Sequence, residues 1–527
     1  HCPNRMASTT TPLCLETNFL SIQQQDQQCD DDDKASIEEY STPPALMQQW
    51  NRCARAKKRI LAGTVITRNI PLAQKVHARY APETCGHCLD TRPSRLYRCS
   101  SCQSIQYCGR KCQRADFVQH KNECQFLQDD GMLQECGQEE VEEICLLLRT
   151  MGALHKLERQ ESRTCCTLTD STTDGNGIGT ITCGLHHWNN MAQAPRELAL
   201  SSHRPSAVMQ AAVTKYSASN NNNMEKALCI FQANNFGILN SLYETMGQGV
   251  YPHAAILNHS CHPNCLLRFT ASRMEIVALE NIKEGDELTH SYVDLVQDTK
   301  TRQHHLQQIH GFFCDCQRCQ GRVKVKIPSV MLRADTKRYY QSILRHQNPL
   351  SEEQSNDSED IEFISLSVDE ALKYSYKNTS NDDGSDEMSI LQQADELQQQ
   401  ARQHMANDDL ISEMAALEEA VRLLSLHMPP LSRELYQVRG AYLSSLLANM
   451  ADGTALHHQE AQETCAAMVA FLAVALPRHH PLLGLQLYTL GDLLAMSLDD
   501  GNESIKYHVW ARRVLMISHG KQHDLVQ

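Results

Sequence analysis

Eight cysteine and histidine residues stand in four closely spaced pairs within forty positions of this chain, and no other feature restricts its local fold as strongly. Two such residues separated by two or three positions can reach the same tetrahedral zinc ion, at Zn–S distances of roughly 2.3 Å. Four pairs are enough for two zinc ions, which a segment too short for an apolar core needs in order to fold. We therefore predict a zinc finger at residues 85–124. Its candidate ligands are Cys85, Cys88, Cys99, Cys102, Cys108, Cys112, His120 and Cys124.

The composition is that of a globular chain. Of its 527 residues, 41% are hydrophobic and 21% are charged, and the formal net charge of −14 argues against a chain that coats nucleic acid. No stretch of about 18 apolar residues occurs, so we expect no membrane span. The start of the chain also lacks the pattern of a secretory signal. The 23 cysteines therefore suit a reducing compartment, and we expect the nucleus and the cytoplasm.

Shifts in composition and in hydrophobic periodicity divide the chain into segments. The first 45 residues are rich in Gln and Asp and cannot bury a core, so we expect them to be disordered. Segments with the sequence pattern of β-strands flank the finger, whereas the C-terminal part has the hydrophobic periodicity of paired helices. The fold class is α+β with several domains. We expect a disordered segment (1–45), a β-rich part (46–84), the finger (85–124), a helical insertion with polar loops (125–225), a second β-rich part (226–298), a cysteine-containing segment (299–325), an acidic linker (351–390) and a TPR-like helical domain (391–527).

Four motifs occur in an order that is typical of one protein family. The finger ends in YCGRKCQRADFVQHKNEC (107–124), and ILNHSCHPNC (256–265), GDELTHSYVDL (285–295) and FFCDCQRCQ (312–320) follow it. Together they resemble the SET–MYND (SMYD) lysine methyltransferase family over about residues 54–325. The resemblance implies a SET β-fold split by a MYND zinc finger and followed by a post-SET zinc segment. It also implies transfer of a methyl group from S-adenosylmethionine to a protein lysine.

The resemblance further implies three zinc ions. In that family the two finger sites interleave, so that the first and third pairs hold one zinc ion and the second and fourth pairs hold the other. A third, structural zinc is implied at the post-SET cysteines, with a fourth ligand from the NHSC motif. Cys265 is an alternative for that fourth ligand, although the motif favours Cys261. The implied ligands of the third zinc are Cys261, Cys314, Cys316 and Cys319.

The same resemblance assigns the remaining site residues. Tyr292 matches the SET tyrosine whose hydroxyl orients the lysine amine, and Phe236 and His310 match positions that line the lysine channel. Phe312 matches the aromatic residue that packs on the adenine of the cofactor. The implied cofactor contacts are Asn234, Asn258, His259 and Phe312.

Two positions depart from the family pattern. The family's first strand begins with a Gly-x-Gly loop, because the missing Cβ atoms let the backbone approach the cofactor closely. Here the corresponding residues are Asn51, Arg52 and Cys53. Either the cofactor pocket is altered, or the first residues are misassigned, which the start at His1 instead of Met leaves open. His310 stands where many members have a channel tyrosine, and it stabilises a cation less well.

Three functions follow as hypotheses. The first is an S-adenosylmethionine-dependent protein-lysine N-methyltransferase acting on a histone or non-histone substrate, with a finger that binds proline-containing peptides. The finger has seven basic and three acidic residues, a net charge of about +4, which permits weak DNA contact or is simply a solvated surface. The second is a catalytically weak or inactive scaffold or transcriptional co-regulator of the same fold. The third, a zinc-finger DNA-binding regulator, is disfavoured because no array of recognition helices occurs.

Overall fold

The computed structural model describes most of the chain in two compact units. The first unit comprises His1–Asn258, Asn264–His290 and Gln308–Gly311, and the second comprises His259–Pro263, Ser291–Gln307 and Phe312–Gln527. Within these limits the described residues are 20–24, 52–91, 93–161, 172–173, 179–181, 207–216, 230–328, 336–349, 363–374, 384–450, 457–496 and 501–527.

Short strands dominate the chain up to residue 290. They are β1 (Leu20–Gln24), β2 (Arg52–Ala56), β3 (Val65–Asn69), β4 (Ala73–Val76), β5 (Tyr97–Arg98), β6 (Gln106–Tyr107), β7 (Thr172–Thr173), β8 (Gly179–Ile181), β9 (Asn235–Leu239), β10 (Thr245–Val250), β11 (Asn258–His259), β12 (Cys265–Thr270), β13 (Arg273–Ala278) and β14 (Thr289–His290). In the first unit one sheet has the strand order β12-β13-β3-β8-β7, and a second has the order β4-β10-β9. Strand β1 pairs with β2, and β5 pairs with β6 inside the finger.

Strand β13 is an interior strand of the larger sheet, because it pairs with β12 on one side and β3 on the other. Its apolar and β-branched sequence RMEIVA suits burial, and five of its six residues are buried. Among the five buried residues only Glu275 is charged, and its carboxylate accepts hydrogen bonds from Arg68 Nε and Arg268 Nε, each at 2.8 Å. Burial alone would raise the pKa of Glu275, but these two arginines hold it below its ordinary value. The ion pairs therefore join three neighbouring strands.

The described part of the first unit has α-helices that begin within the finger and continue beyond it. They are α1 (Arg110–Phe126), α2 (Asp130–Gln134), α3 (Gln138–Glu161) and α4 (Ala207–Tyr216). Helix α3 buries an uninterrupted apolar run, 144–148, in a core that α4 also lines. Helices α1 and α3 cross closely at Gly152, where an added Cβ would lie only 2.8 Å from the carbonyl oxygen of Val118. Glycine permits this approach, which brings the finger helix against α3.

The second unit is mainly helical, which confirms the predicted helical character of the C-terminal part, whereas its TPR-like arrangement stays a prediction. Its strands are β15 (Lys324–Pro328) and β16 (Phe363–Ser367), and its helices are α5 (Thr299–His310, the last three residues belonging to the first unit), α6 (Thr336–Gln347), α7 (Val368–Lys373), α8 (Gly384–Ala406), α9 (Leu410–His427), α10 (Arg433–Met450), α11 (His458–Ala475), α12 (Pro481–Ala495) and α13 (Gly501–Ser518). Helix α11 is the most deeply buried, and its apolar residues pack against α10 and α12 in one core. Several helices begin at side-chain caps, as Asp409 does for α9 by accepting from the amide of Ser412 at 3.1 Å.

Three predicted segment assignments are wrong in part. Within the segment expected to be disordered, residues 20–24 form β1, whose alternating LSIQQ sequence pairs along the edge of β2. Within the expected acidic linker, residues 363–373 form β16 and α7, since Ser367 and Glu370 make a reciprocal capping box that the acidic composition obscured. Within the helical insertion, β8 adds in parallel to β3. The other residues of 1–45 lie outside the described part of the chain.

No helix among the described residues is long and apolar enough to cross a membrane.

Candidate functional site

The eight candidate ligands of the finger come together as two groups of four. The first group is Cys85, Cys88, Cys108 and Cys112, and the second is Cys99, Cys102, His120 and Cys124. Within each group all ligand atoms lie within 4.8 Å of one another. Cys99 and Cys102 lie between β5 and β6, Cys108 follows β6, and α1 supplies Cys112, His120 and Cys124. The two groups therefore interleave along the chain.

The spacing of these sulfur atoms fits tetrahedral zinc. Four thiolates at the usual Zn–S distance would lie roughly 3.8 Å apart. In the first group Cys88 Sγ lies 3.7 Å from Cys108 Sγ, and Cys108 Sγ lies 3.4 Å from Cys112 Sγ. In the second group Cys99 Sγ lies 3.8 Å from Cys124 Sγ. Both donor sets therefore have the chemistry and the dimensions of a structural zinc site.

A buried carboxylate orients the histidine ligand. His120 Nδ1 lies 2.7 Å from Glu123 Oε2, which leaves His120 Nε2 facing Cys102 Sγ at 3.6 Å. Glu123 also accepts a hydrogen bond from Arg149 Nη1 at 2.6 Å and pairs with Lys75 Nζ at 3.0 Å. Burial alone would raise the pKa of Glu123, but Lys75 and Arg149 hold it far below its ordinary value. The carboxylate thus stays charged and fixes the ring nitrogen that faces the metal position.

Arg149, in α3, has a second carboxylate partner in α1, the helix that contains Glu123. Its guanidinium, which is fully buried, also donates a hydrogen bond to Asp116. Asp116 further accepts from the hydroxyl of Tyr107 at 2.8 Å and lies 3.6 Å from His87 Nδ1. His87, which stands between two ligands in the sequence, is therefore part of this network and of neither ligand group. One arginine of α3 thereby ties together the two acidic residues of the finger helix.

A third group of four cysteines forms in the second unit. Cys261, Cys314, Cys316 and Cys319 have their sulfur atoms within 4.8 Å of one another, and Cys261 Sγ lies 3.6 Å from Cys319 Sγ. The alternative ligand, Cys265, is not in the group; it is buried in the first unit, where burial raises the pKa of its thiol. Four thiolates at this spacing again fit a zinc site without an open coordination position.

Three of the predicted site residues lie together beside this cysteine group. The ring of His259 has its centroid 5.3 Å from that of Tyr292 and 6.2 Å from that of Phe312. His259 Nδ1 accepts a hydrogen bond from the backbone amide of Tyr292 at 3.0 Å, so the ring proton belongs on Nε2. Nε2 lies 3.2 Å from Cys261 Sγ. Both ring nitrogens of His259 are thus engaged within the protein, and the histidine connects Tyr292 to a metal-ligand sulfur.

The remaining predicted residues belong to the first unit. Asn234 is buried and donates from Nδ2 to the carbonyl of Ile230 at 2.6 Å. Asn258 donates from Nδ2 to Glu287 Oε1 at 2.7 Å. Phe236 lies in β9, with its ring centroid 6.0 Å from that of Tyr251 and 5.9 Å from that of His290. His310, the last residue of α5, is partly buried in the same unit.

Strand β2 occupies the position of the expected glycine loop. Asn51 lies outside the described residues, and Cys53 pairs with Gln23 as part of a regular antiparallel ladder. The side chain of Cys53 is fully buried, and its thiol pKa is raised mainly by that burial. Cys53 is therefore an ordinary strand position with a buried side chain.

Comparison with known proteins agrees with this arrangement. The SET domain profile matches residues 51–293. Histone-lysine N-methyltransferase SMYD3 of Homo sapiens is 28% identical over 279 residues, which cover 51% of this chain and 59% of the relative. N-lysine methyltransferase SMYD2-A of Xenopus laevis is 27% identical, covering 46% of this chain and 51% of its own length. SET domain and MYND-type zinc finger protein 6 of Schizosaccharomyces pombe is 25% identical, covering 49% and 50%.

The chain contains a SET domain, and its relatives named for SET, MYND or SMYD support a SET–MYND family protein. It spans between 50% and 59% of the length of these curated relatives. The interleaved metal clusters at 85–124 are then the MYND finger, and the third cluster belongs to the post-SET segment. Because the SET profile begins before the finger and ends after it, the finger is an insertion within the SET domain.

Sequence reasoning missed the charged residues that support the metal clusters of this SET–MYND chain. In the finger they are Arg149 and Lys75, and in the post-SET cluster they are Arg302 and Asp369. Partial signals existed in the finger, because Asp116 and Glu123 are seven residues apart and share the helix face of His120. Their cationic partners lie far away in the sequence and belong to no motif.

Proposed function

We propose that this chain is an S-adenosylmethionine-dependent protein-lysine N-methyltransferase. Its SET domain and its relatives named as lysine methyltransferases support the reaction class. The observation that carries the proposal is the group formed by Tyr292, His259 and Phe312. An aromatic hydroxyl, an aromatic surface and a fixed backbone amide at one place are what orientation of an amine and an adenine requires.

In this proposal Tyr292 is the catalytic residue. S-adenosylmethionine supplies the methyl group, and the attacking lysine must present a neutral amine in line with the methyl–sulfur bond. The Tyr292 hydroxyl would orient that amine, while His259 holds the Tyr292 backbone in place through the 3.0 Å hydrogen bond to Nδ1. Phe236 and His310 would line the lysine channel and exclude water from it.

The cofactor contacts in the proposal are divided between side chains and backbone. Phe312 would pack on the adenine, and the amides of Asn234 and Asn258 would bind polar groups of the nucleoside. Because both ring nitrogens of His259 are already engaged, this residue would contact the cofactor through its backbone and not through its ring.

We also propose that three zinc ions occupy the three ligand groups. The two finger ions would be held by three or four thiolates each, with His120 as the single nitrogen ligand. The post-SET ion would join Cys261 of the NHSC motif to the three cysteines that follow Phe312. None of the three groups has an open position, so their role is structural and not catalytic.

The finger surface supports a binding role for acidic or proline-containing partners. Asp116 and Glu123, two of the three acidic residues of the finger, are buried, so the exposed surface is more basic than the residue count suggests. Phe117 is 60% exposed on the same helix and offers an apolar contact for a peptide. We propose a proline-containing peptide as the ligand and weak DNA contact as a secondary property. Nuclear and cytoplasmic localisation would fit both partners.

The decisive experiment measures cofactor binding and methyl transfer in the same preparations. We expect S-adenosylmethionine to bind by calorimetry, and Tyr292→Phe to retain this binding while methyl transfer to a mixed histone and peptide library falls by about 100-fold or more. Tyr339→Phe is the matched control, since it removes a buried hydroxyl elsewhere in the same unit. Equal transfer by wild type and Tyr292→Phe would refute the catalytic assignment.

A second candidate is a SET–MYND scaffold without methyltransferase activity. The observation that favours it is strand β2, where a regular ladder with a buried Cys53 stands in place of Gly-x-Gly. Side chains at these positions keep a ligand farther from the backbone than glycine does. Absence of calorimetric heat with S-adenosylmethionine in a zinc-loaded, folded chain would favour the scaffold over the enzyme.

A further inference from the structure

The post-SET cysteine group is surrounded by charged residues that no ligand motif contains. Arg302, in α5, is fully buried, and its Nε donates a hydrogen bond to Cys261 Sγ at 3.3 Å. Arg318, between the last two cysteine ligands, is also buried and donates to the carbonyls of Leu295 and Ala475, each at 3.0 Å. Two guanidinium groups are thus placed beside one four-cysteine site.

These cations are explained by the charge of the site. Four thiolates around Zn²⁺ carry a net charge of −2, which is costly to bury without compensation. The N–H group of Arg302 withdraws charge from the Cys261 sulfur, and the Nε2–H of His259 points at the same sulfur from 3.2 Å. The charge of Cys261 is therefore stabilised by two neighbouring side chains.

A single carboxylate holds the two arginines next to each other. Asp369 Oδ2 lies 3.3 Å from Arg302 Nη2, and Asp369 Oδ1 lies 3.6 Å from Arg318 Nη2. Without it, two buried guanidinium groups would repel each other beside the cysteines. Asp369 is the second residue of α7, whose start is set by the capping box of Ser367 and Glu370. The short helix that sequence composition assigned to a linker therefore presents this carboxylate in a defined position.

We propose that Asp369 and Arg302 are outer positioning residues of the post-SET zinc site, so that helix α7 controls how tightly this site retains its metal. The inference rests on the zinc assignment made above. Asp369 orients Arg302, Arg302 stabilises the Cys261 thiolate, and Cys261 in turn contacts His259, which holds the backbone of Tyr292. Outer partners of metal ligands typically change metal affinity by about 10- to 100-fold when they are removed.

The test follows zinc release from the full-length, zinc-loaded chain into a chromogenic chelator. The release phase that is missing in Cys316→Ser identifies the post-SET ion, and the two finger ions serve as an internal reference. We expect Asp369→Asn and Arg302→Gln to release the post-SET ion at least about 10-fold faster, with unchanged release from the finger. The conservative variant Asp369→Glu should stay close to the wild-type rate.

Asp315→Asn is the matched control. It removes the same charge from an exposed residue between two of the cysteine ligands, so it tests whether net charge alone matters. Wild-type release in Asp369→Asn, or equal acceleration in Asp315→Asn, would overturn the inference. Asp369→Asn leaves every buried guanidinium in place, so it decides the question even if Arg302→Gln does not fold. A chain with accelerated release but no methyl transfer would refute only the proposed activity, whereas wild type holding two zinc ions would refute the zinc assignment as well.

Discussion

Replacement of Arg149 by methionine tests whether the MYND finger and helix α3 form one cooperative structure. The guanidinium is buried between Asp116 and Glu123, whose side chains are at most 1% exposed. Methionine fills a similar volume without a charge, so the variant removes the ion pairs while keeping most of the packing. The loss of free energy of unfolding should then report charge compensation within the first unit.

The magnitude follows from the partners that remain. Removing one partner of a buried ion pair costs roughly 3–5 kcal/mol, because a desolvated charge is left behind. Here Asp116 keeps the Tyr107 hydroxyl at 2.8 Å, and Glu123 keeps Lys75 at 3.0 Å. The loss in free energy of unfolding should therefore correspond to about one broken ion pair and not to two. We expect a loss of about 4 kcal/mol, which for a unit of this size is a fall in melting temperature of roughly 10 °C.

Equilibrium denaturation and calorimetry of the zinc-loaded chain measure this loss. Arg114→Met makes the same substitution on the exposed side of α1 and should cost less than about 0.5 kcal/mol. Adding Asp116→Asn to Arg149→Met should recover part of the lost stability, because it removes one of the two uncompensated charges. A loss under about 1 kcal/mol for Arg149→Met, or no recovery in the double variant, would refute the argument from charge.

Two further perturbations test the first unit. Glu275→Gln should lower the free energy of unfolding by about 2 kcal/mol at pH 7. Because neighbouring arginines hold the pKa of Glu275 below its ordinary value, this stabilisation is present above about pH 4.5 and is lost as the pH falls through the folded pKa. In denaturation measured over a pH series, the difference between the variant and wild type should therefore shrink toward pH 3. A pH-independent difference would contradict this origin. Gly152→Ala should cost about 1–3 kcal/mol, because its Cβ would press on the carbonyl of Val118. Gly131→Ala in α2, whose Cβ would lie an ordinary 3.5 Å from Asp129 Oδ1, should be close to neutral in the same melts.

Local chemistry explains what could be predicted from the sequence. Metal ligands must be specific residue types a few positions apart, so residues 85–124 could be recognised as a finger without any knowledge of the fold. The helical C-terminal part was predictable for a similar reason, because Leu417, Ala420 and Leu424 recur at helical spacing and are all buried on one face of α9.

Long-range pairing explains what could not be predicted. Arg302 and Asp369 are separated by 67 residues, and Arg149 lies 33 residues from Asp116. Nothing in either local sequence distinguishes these residues from solvated charges. Strand β1 is a similar case, since its short LSIQQ sequence lies within a Gln- and Asp-rich segment and its partner, β2, is distant in the sequence. The identity of such partners depends on the tertiary fold, which composition and periodicity do not contain.

The buried arginines of this acidic chain are concentrated where metal ligands add negative charge. Among the described residues four arginines are buried, and three of them lie near metal-ligand groups. Arg149 contacts the carboxylate of Glu123 that orients His120, Arg302 contacts Cys261 Sγ, and Arg318 lies between two cysteine ligands in the sequence. A four-cysteine site carries −2 and a three-cysteine, one-histidine site carries −1 when zinc is bound. Without the metal, repulsion among the ligand thiolates would drive their protonation, and Arg302 would lose the negative charge of Cys261 that compensates part of its burial. Metal loss should therefore leave a buried cation less compensated and expose free thiols, so zinc binding and folding of the second unit belong to the same equilibrium.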